Sequence, residues 1–318
     1  MVDAPVATRV PSRPDARPAL GYAMVLVAAT LFAVNGAVSK VVLGSGISSL
    51  ELTQVRSTGA CLGFLGAVLL IRPGALRVTR RELLFLVVFG ITGLAFVQWF
   101  YFLAIHRLPL GIALLIQYLA PLLVALFARY ALHERVRRRI WLALGLALTG
   151  LALVVEVWQG LALDGVGVLA SLGAACAYAT YILMAEHETA RRGRDPISLS
   201  FYGFLFAALF WATVQPLWQF PYERLDDSVS LLGNLEDYTA PLWLLMLFVV
   251  VVGTMVTFAL VNTALKHVSA TRVGIAAMLE PVAASLIAWA WLGETFGPAQ
   301  LVGGAIVLVA ILLAQTAR

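Results

Sequence analysis

"MLEPVAASLIAWAWLGE", residues 278–294, places Glu280 directly before Pro281 inside a run that is otherwise apolar or small. In water this would read as a buried helix with a misplaced acid. In a bilayer it reads as a span carrying a carboxylate and a helix breaker at mid-depth. The rest of the chain decides between the two solvents. Hydrophobic residues make up 61% of the 318 and charged residues only 12%, with a mean hydropathy of +0.92. Such a chain has too little polar surface to stay dispersed in water, so the solvent is lipid and the protein crosses it many times.

A bilayer core of about 30 Å takes roughly 20 helical residues to cross. On that ruler the sequence predicts ten spans, at 20–43, 50–71, 82–105, 109–131, 139–158, 164–185, 197–219, 241–265, 269–292 and 298–316. Lipid offers no partner to bare backbone groups, so runs of this length are helices and the fold class is all-α. Residues 1–18, with Pro5, Pro11, Pro14 and Pro18 among Arg9, Arg13 and Arg17, predict a disordered tail. The apolar run behind it is long enough to span, which a signal peptide is not.

Basic residues set the orientation. With the N-terminus inside, Arg72, Arg77, Arg80, Arg81, Arg129, Arg135, Arg137, Arg138, Arg139, Arg191, Arg192, Arg194 and Lys266 all fall in cytoplasmic links. Only Lys40, Arg107 and Arg224 fall outside. Both termini are then cytoplasmic. The net charge of +5 is thereby a topology signal rather than a phosphate-binding face, and nucleic acid is not a partner. The partners to expect are membrane lipids and a small solute.

A shift of 160 residues lays "YLAPLLVALFARYALHE" (118–134) on the opening stretch, Pro121 falling on Pro281 and Glu134 on Glu294. A shift of 146 lays "AATLFA" (28–33) on "AACAYA" (174–179). Two five-span units follow, at 20–158 and 164–316. An odd number of spans turns the second unit upside down, the inverted-repeat plan of many secondary transporters.

These residues carry a family resemblance. The paired "AATLFA" and "AACAYA" openings, the mid-helix Pro followed by Glu just past the helix end, and "LEPVAA...WLGE" resemble the EamA-type members of the drug/metabolite transporter superfamily. The resemblance spans about residues 20–316. The first unit departs from it with "LHERV" where the second has "LGETF". It implies transport of small metabolites, amino acids among them, chiefly outward, across the cytoplasmic membrane, and it does not name the substrate.

An ionised carboxylate at mid-span must be protonated, paired or wetted, so Glu280 is the candidate proton-coupling residue. A structural polar clamp between helices is the competing role. Pro281 leaves the Ala277 carbonyl without its helical donor and Pro121 does the same at Gln117, making the pair candidate hinges. Asn35, Gln117, Tyr118 and Tyr178 are candidate substrate contacts among the polar residues at depth, which also include Gln98, Tyr101, Tyr181 and Asn262. Trp99 is a candidate stacking surface. Arg56, two turns into its span, either snorkels to the interface or turns inward to meet Glu280 or a substrate carboxylate. Gly59 and Gly63 mark close helix packing, within the fold or across a homodimer.

Cys61 and Cys176 sit in apolar runs, and the four histidines fall at helix ends without a second ligand in reach, so no metal or cofactor is expected. No phosphate-binding loop or nucleophile motif appears. The sequence therefore predicts a proton-coupled exporter of a small organic metabolite, not an enzyme. An uptake permease is the alternative within transport. A membrane-embedded lipid or isoprenoid transferase, or a fluxless sensor, are the alternatives outside it.

Overall fold

The computed structural model describes residues 17–120, 122–123, 138–155, 163–268, 273, 276–277 and 279–316. Helices α1 (Pro18–Gly44), α2 (Ser49–Ile71), α3 (Arg80–Arg107), α4 (Leu110–Gln117) and α5 (Arg138–Val155) occupy the first half. Helices α6 (Gly165–Glu186), α7 (Pro196–Val214), α8 (Leu242–Ala264), α9 (Leu279–Ala290) and α10 (Pro298–Thr316) occupy the second. Among the described residues, α1, α2, α3, α6, α7 and α8 are long and apolar enough to cross a membrane, and α5, α9 and α10 contain shorter apolar segments.

The helix starts are written locally. Ser48 and Glu51 form a capping box at α2, the serine amide donating to the glutamate at 2.7 Å. Thr79 and Glu82 repeat it at α3. Asp164 accepts the Gly167 amide at 2.8 Å ahead of α6, and Asp195 accepts those of Ile197 and Ser198 ahead of α7, where Pro196 takes the first helical position. Each satisfies amide groups that a helix N-terminus leaves bare.

Four expectations are corrected. Pro18 opens α1 instead of closing the tail, because a proline at the first helical position loses no hydrogen bond. The seventh span ends at Val214, not 219, where Gln215 and Pro216 leave helical geometry. The fold is not purely helical: the link before α8 carries a hairpin, β1 (Ser228–Ser230) against β2 (Thr239–Pro241). The fourth span is broken: α4 stops at Gln117 and the chain turns at Tyr118 and Leu119, one turn before a proline that supplies no amide to the Gln117 carbonyl.

Two helices carry wide turns, α3 at Phe89–Ala95 and α8 at Val251–Val256. Glycines set the tightest crossings. A Cβ on Gly59 or Gly63 would strike Val250 or Met255, so this small face packs α2 onto α8 within the chain rather than onto a second copy. Gly150 and Gly303 bring α5 and α10 together, a Cβ on Gly303 falling 2.7 Å from the Gly150 carbonyl oxygen.

At the end that the arginine bias assigns to the outside, the link after α7 is strapped over two helices. Arg224 donates to the Ser45 carbonyl past α1. Asn234 donates through Nδ2 to the carbonyls of Trp289 and Ala290 closing α9, and Trp291 Nε1 donates back to Leu231 at 2.9 Å. Nearby, Glu294 accepts from Lys40 on α1 and from the Leu110 amide that starts α4, while Lys40 Nζ also reaches the Leu108 carbonyl at 3.0 Å. One carboxylate thus joins α1, α4 and the end of α9.

Candidate functional site

Helices α1, α2, α3, α6 and α8, together with the Tyr118 turn and α9, surround a cavity with about 60 Å3 of free space. At roughly 10–15 Å3 per water that is room for a few waters. It lies well under the roughly 300 Å3 of a pocket for a drug-sized ligand. Phe32, Val97 and Phe258 give it apolar walls, and the remaining lining is polar.

Glu280 enters from α9 and its Oε2 accepts the Tyr118 hydroxyl at 2.7 Å. The break after Gln117 presents that hydroxyl, since Tyr118 sits in the turn rather than in the helix. The Tyr118 and Tyr178 rings lie 6.1 Å apart, and Tyr178 stacks on Tyr181. The Tyr181 hydroxyl donates to Asn262 at 3.0 Å, and Asn262 donates to Ser200 at 2.8 Å. Polar groups therefore run from the acid, along the tyrosine faces, to α7.

Arg56 comes from α2 and is turned fully inward, at 3% exposure. Its Nε donates to Thr254 Oγ1 at 2.5 Å and its Nη2 to the Gly253 carbonyl at 3.2 Å. The guanidinium also lies over the Phe102 ring, 5.2 Å from its centre. No carboxylate among the described residues stands within ion-pair distance of it, although Glu280 lines the same cavity. Gln98 donates through Nε2 to the Leu94 carbonyl, and its Oε1 has no protein partner among the described residues.

Six residues singled out in the sequence, Asn35, Arg56, Gln117, Tyr118, Tyr178 and Glu280, converge on this one cavity. Trp99 does not. Its ring packs on Phe100 and Trp211, 5.7 Å from the latter, within the contact between α3 and α7, so the stacking role is replaced by a packing one. Pro281 is buried beside Glu280 but lines a separate apolar groove with Ile112, Ser285 and Phe296. Pro121 lies outside the described residues. Gln98 and Tyr101 were visible as polar residues at depth, and both line the cavity. The roles of Gly253 and Thr254 had no sequence signal, because a wide turn carries no residue pattern of its own.

The sequence profile of the EamA-like transporter family matches residues 19–156 and 165–316. The chain belongs to the EamA-like transporter family. An uncharacterized transporter of Archaeoglobus fulgidus is 31% identical over 299 residues, covering 92% of this chain and 96% of that protein. The threonine/homoserine exporter RhtA of Escherichia coli is 28% identical over 265 residues, covering 81% and 80%. One crystal structure superimposes with a TM-score of 0.57 at 20% identity, over 93% of this chain and 95% of that one, and so shares the fold. This EamA-like protein is a transporter and not an enzyme, and it is a multi-pass protein of the cytoplasmic membrane.

Proposed function

We propose that this transporter exports a small amino acid, or a polar metabolite of similar size, by alternating access, with Glu280 carrying the proton that drives it. The observation that carries the reading is the Glu280 carboxyl, hydrogen-bonded to Tyr118 in a cavity that also holds an inward Arg56, which has no ion pair among the described residues. An acid at this depth changes charge as its surroundings wet or dry, which is what coupling requires. The narrow free space favours a small solute over a bulky drug. The exporter relative in Escherichia coli, named for threonine and homoserine, points the same way.

Ten spans in two inverted units, with both termini cytoplasmic, give the scaffold. Its support is a pair of matched crossings. The 160-residue shift puts Gly93 on Gly253, and the 146-residue shift puts Asn35 on Tyr181. Both glycines fall in the wide turns. A Cβ on Gly93 would lie 3.3 Å from Tyr181 Cα, and one on Gly253 would lie 1.8 Å from Asn35 Oδ1. The third helix of each half thus meets the first helix of the other at equivalent places. Rocking of the halves about the Tyr118 break and the Pro121 and Pro281 positions would open the cavity to each side in turn.

The test is Glu280→Gln in proteoliposomes. Transport driven by a pH gradient should vanish while substrate counterflow continues. Full gradient-driven flux in that variant would remove the proton role.

A further inference from the structure

The wide turn of α8 has a job that the transport reading leaves unexplained. The carbonyl of Gly253 lies inside that turn. Here it accepts from Thr257 Oγ1 at 2.9 Å and from Arg56 Nη2. Thr254 hands its own hydroxyl proton back to the Val249 carbonyl at 2.7 Å, which leaves its oxygen lone pairs facing Arg56 Nε. The guanidinium is held along one edge by α8 and on one face by Phe102. Arg56 lines the cavity, and among the described residues no hydrogen bond takes up its Nη1.

We infer that Thr254 and the Gly253 carbonyl are positioning groups that present the free edge of Arg56 to the carboxylate of the transported solute. This rests on the amino-acid reading above and deepens it. A guanidinium pinned on one edge is a preorganised fork, and a planar carboxylate meets such a fork with two parallel hydrogen bonds. The site is built and desolvated: Arg56 is 3% exposed and Thr254 is fully buried. Glu280, lining the same cavity, disfavours a multiply charged anion such as a phosphate ester and tolerates a zwitterion, whose ammonium it can approach. Gly253 is required because any side chain there would collide with Asn35.

The experiment compares L-threonine with L-threoninamide, which keeps the ammonium and the side chain but lacks the carboxylate. Counterflow is measured in proteoliposomes for wild type, Thr254→Val, Thr254→Ser and Arg56→Lys. Wild type should prefer the acid by on the order of 10- to 100-fold in kcat/KM, the range for hydrogen bonds to a charged group. Thr254→Val should erase most of that preference while threoninamide transport holds. Thr254→Ser should retain it, and Arg56→Lys, which keeps the charge but loses the fork, should reduce it. Equal loss of both probes in Thr254→Val, or no preference in wild type, overturns the inference. Should wild type carry neither probe, the amino-acid reading falls, and the anion site is judged on thermal stabilisation of the purified protein. Stabilisation by small carboxylates over their carboxamides, lost in Arg56→Met, upholds it; no difference overturns it.

Discussion

Gly253 leaves the least room for a Cβ among the described glycines, and Gly253→Ala tests that contact. The added methyl would sit 1.8 Å from Asn35 Oδ1, 2.2 Å from its Cγ and 2.9 Å from its Cβ, against 3.4 Å for ordinary contact. Relief requires α1 and α8 to part by roughly 1.6 Å, or Asn35, which is 1% exposed, to find another rotamer in a packed interior. Overpacking of this kind costs about 1–3 kcal/mol. It also displaces the carbonyl that holds Arg56, and a misplacement near 1 Å at a binding group is worth about 100-fold in rate. Thermal unfolding of the purified protein should show the loss of stability, and counterflow the loss of flux. The double variant Gly253→Ala/Asn35→Gly should recover most of the stability, because it removes all three atoms the methyl meets. A single variant as stable as wild type, or a double variant no better than the single, would refute the clash as the reason for glycine at this position.

Glu294→Gln keeps an acceptor for the Leu110 amide but removes the charge that Lys40 meets, at a junction only partly exposed. A loss of about 1 kcal/mol there should raise the external labelling of Val97→Cys, in a background lacking Cys61 and Cys176, about fivefold with a membrane-impermeant thiol reagent. Unchanged labelling would mean the junction does not restrain the outer side. Trp99→Phe should leave substrate affinity unaltered in counterflow, since the ring faces α7 rather than the cavity. The Asp164 carboxyl, exposed ahead of α6, is held below its usual 3.8 by the Gly167 amide and secondarily by Arg107. Because the folded value is the lower one, its stabilising contribution is complete above 3.8 and fades as pH falls through the folded value. Asp164→Asn should therefore flatten the acid limb of a stability profile.

The lipid solvent, the six helices long enough to cross it and most of the cavity lining were legible in the sequence, for one reason. Polar groups are expensive at depth, so Asn35, Arg56, Gln117, Tyr118, Tyr178 and Glu280 stood out from their surroundings and had to face a wetted or paired place. Trp99 misled because an indole suits both packing and stacking, and its depth does not tell which side of α3 it takes. Glu294 was visible as a recurring acid past a helix end, but its partners Lys40 and Leu110 lie far off in the chain. The hairpin before α8 was missed because an acidic, polar link carries no alternation over such short strands. The wide turns were missed because each lies inside a long apolar run, where length and composition give no sign of a surplus residue.

A wide turn amounts to one surplus residue wound into a helix. Winding Val251–Val256 as a regular helix with no residue removed would spin everything beyond it, Thr257–Ala264 included, by about 100°. Asn262 would leave Tyr181 and turn toward a new neighbour, with no side chain changed in kind. The wide turn is thus what keeps the two flanks of α8 turned to their present neighbours.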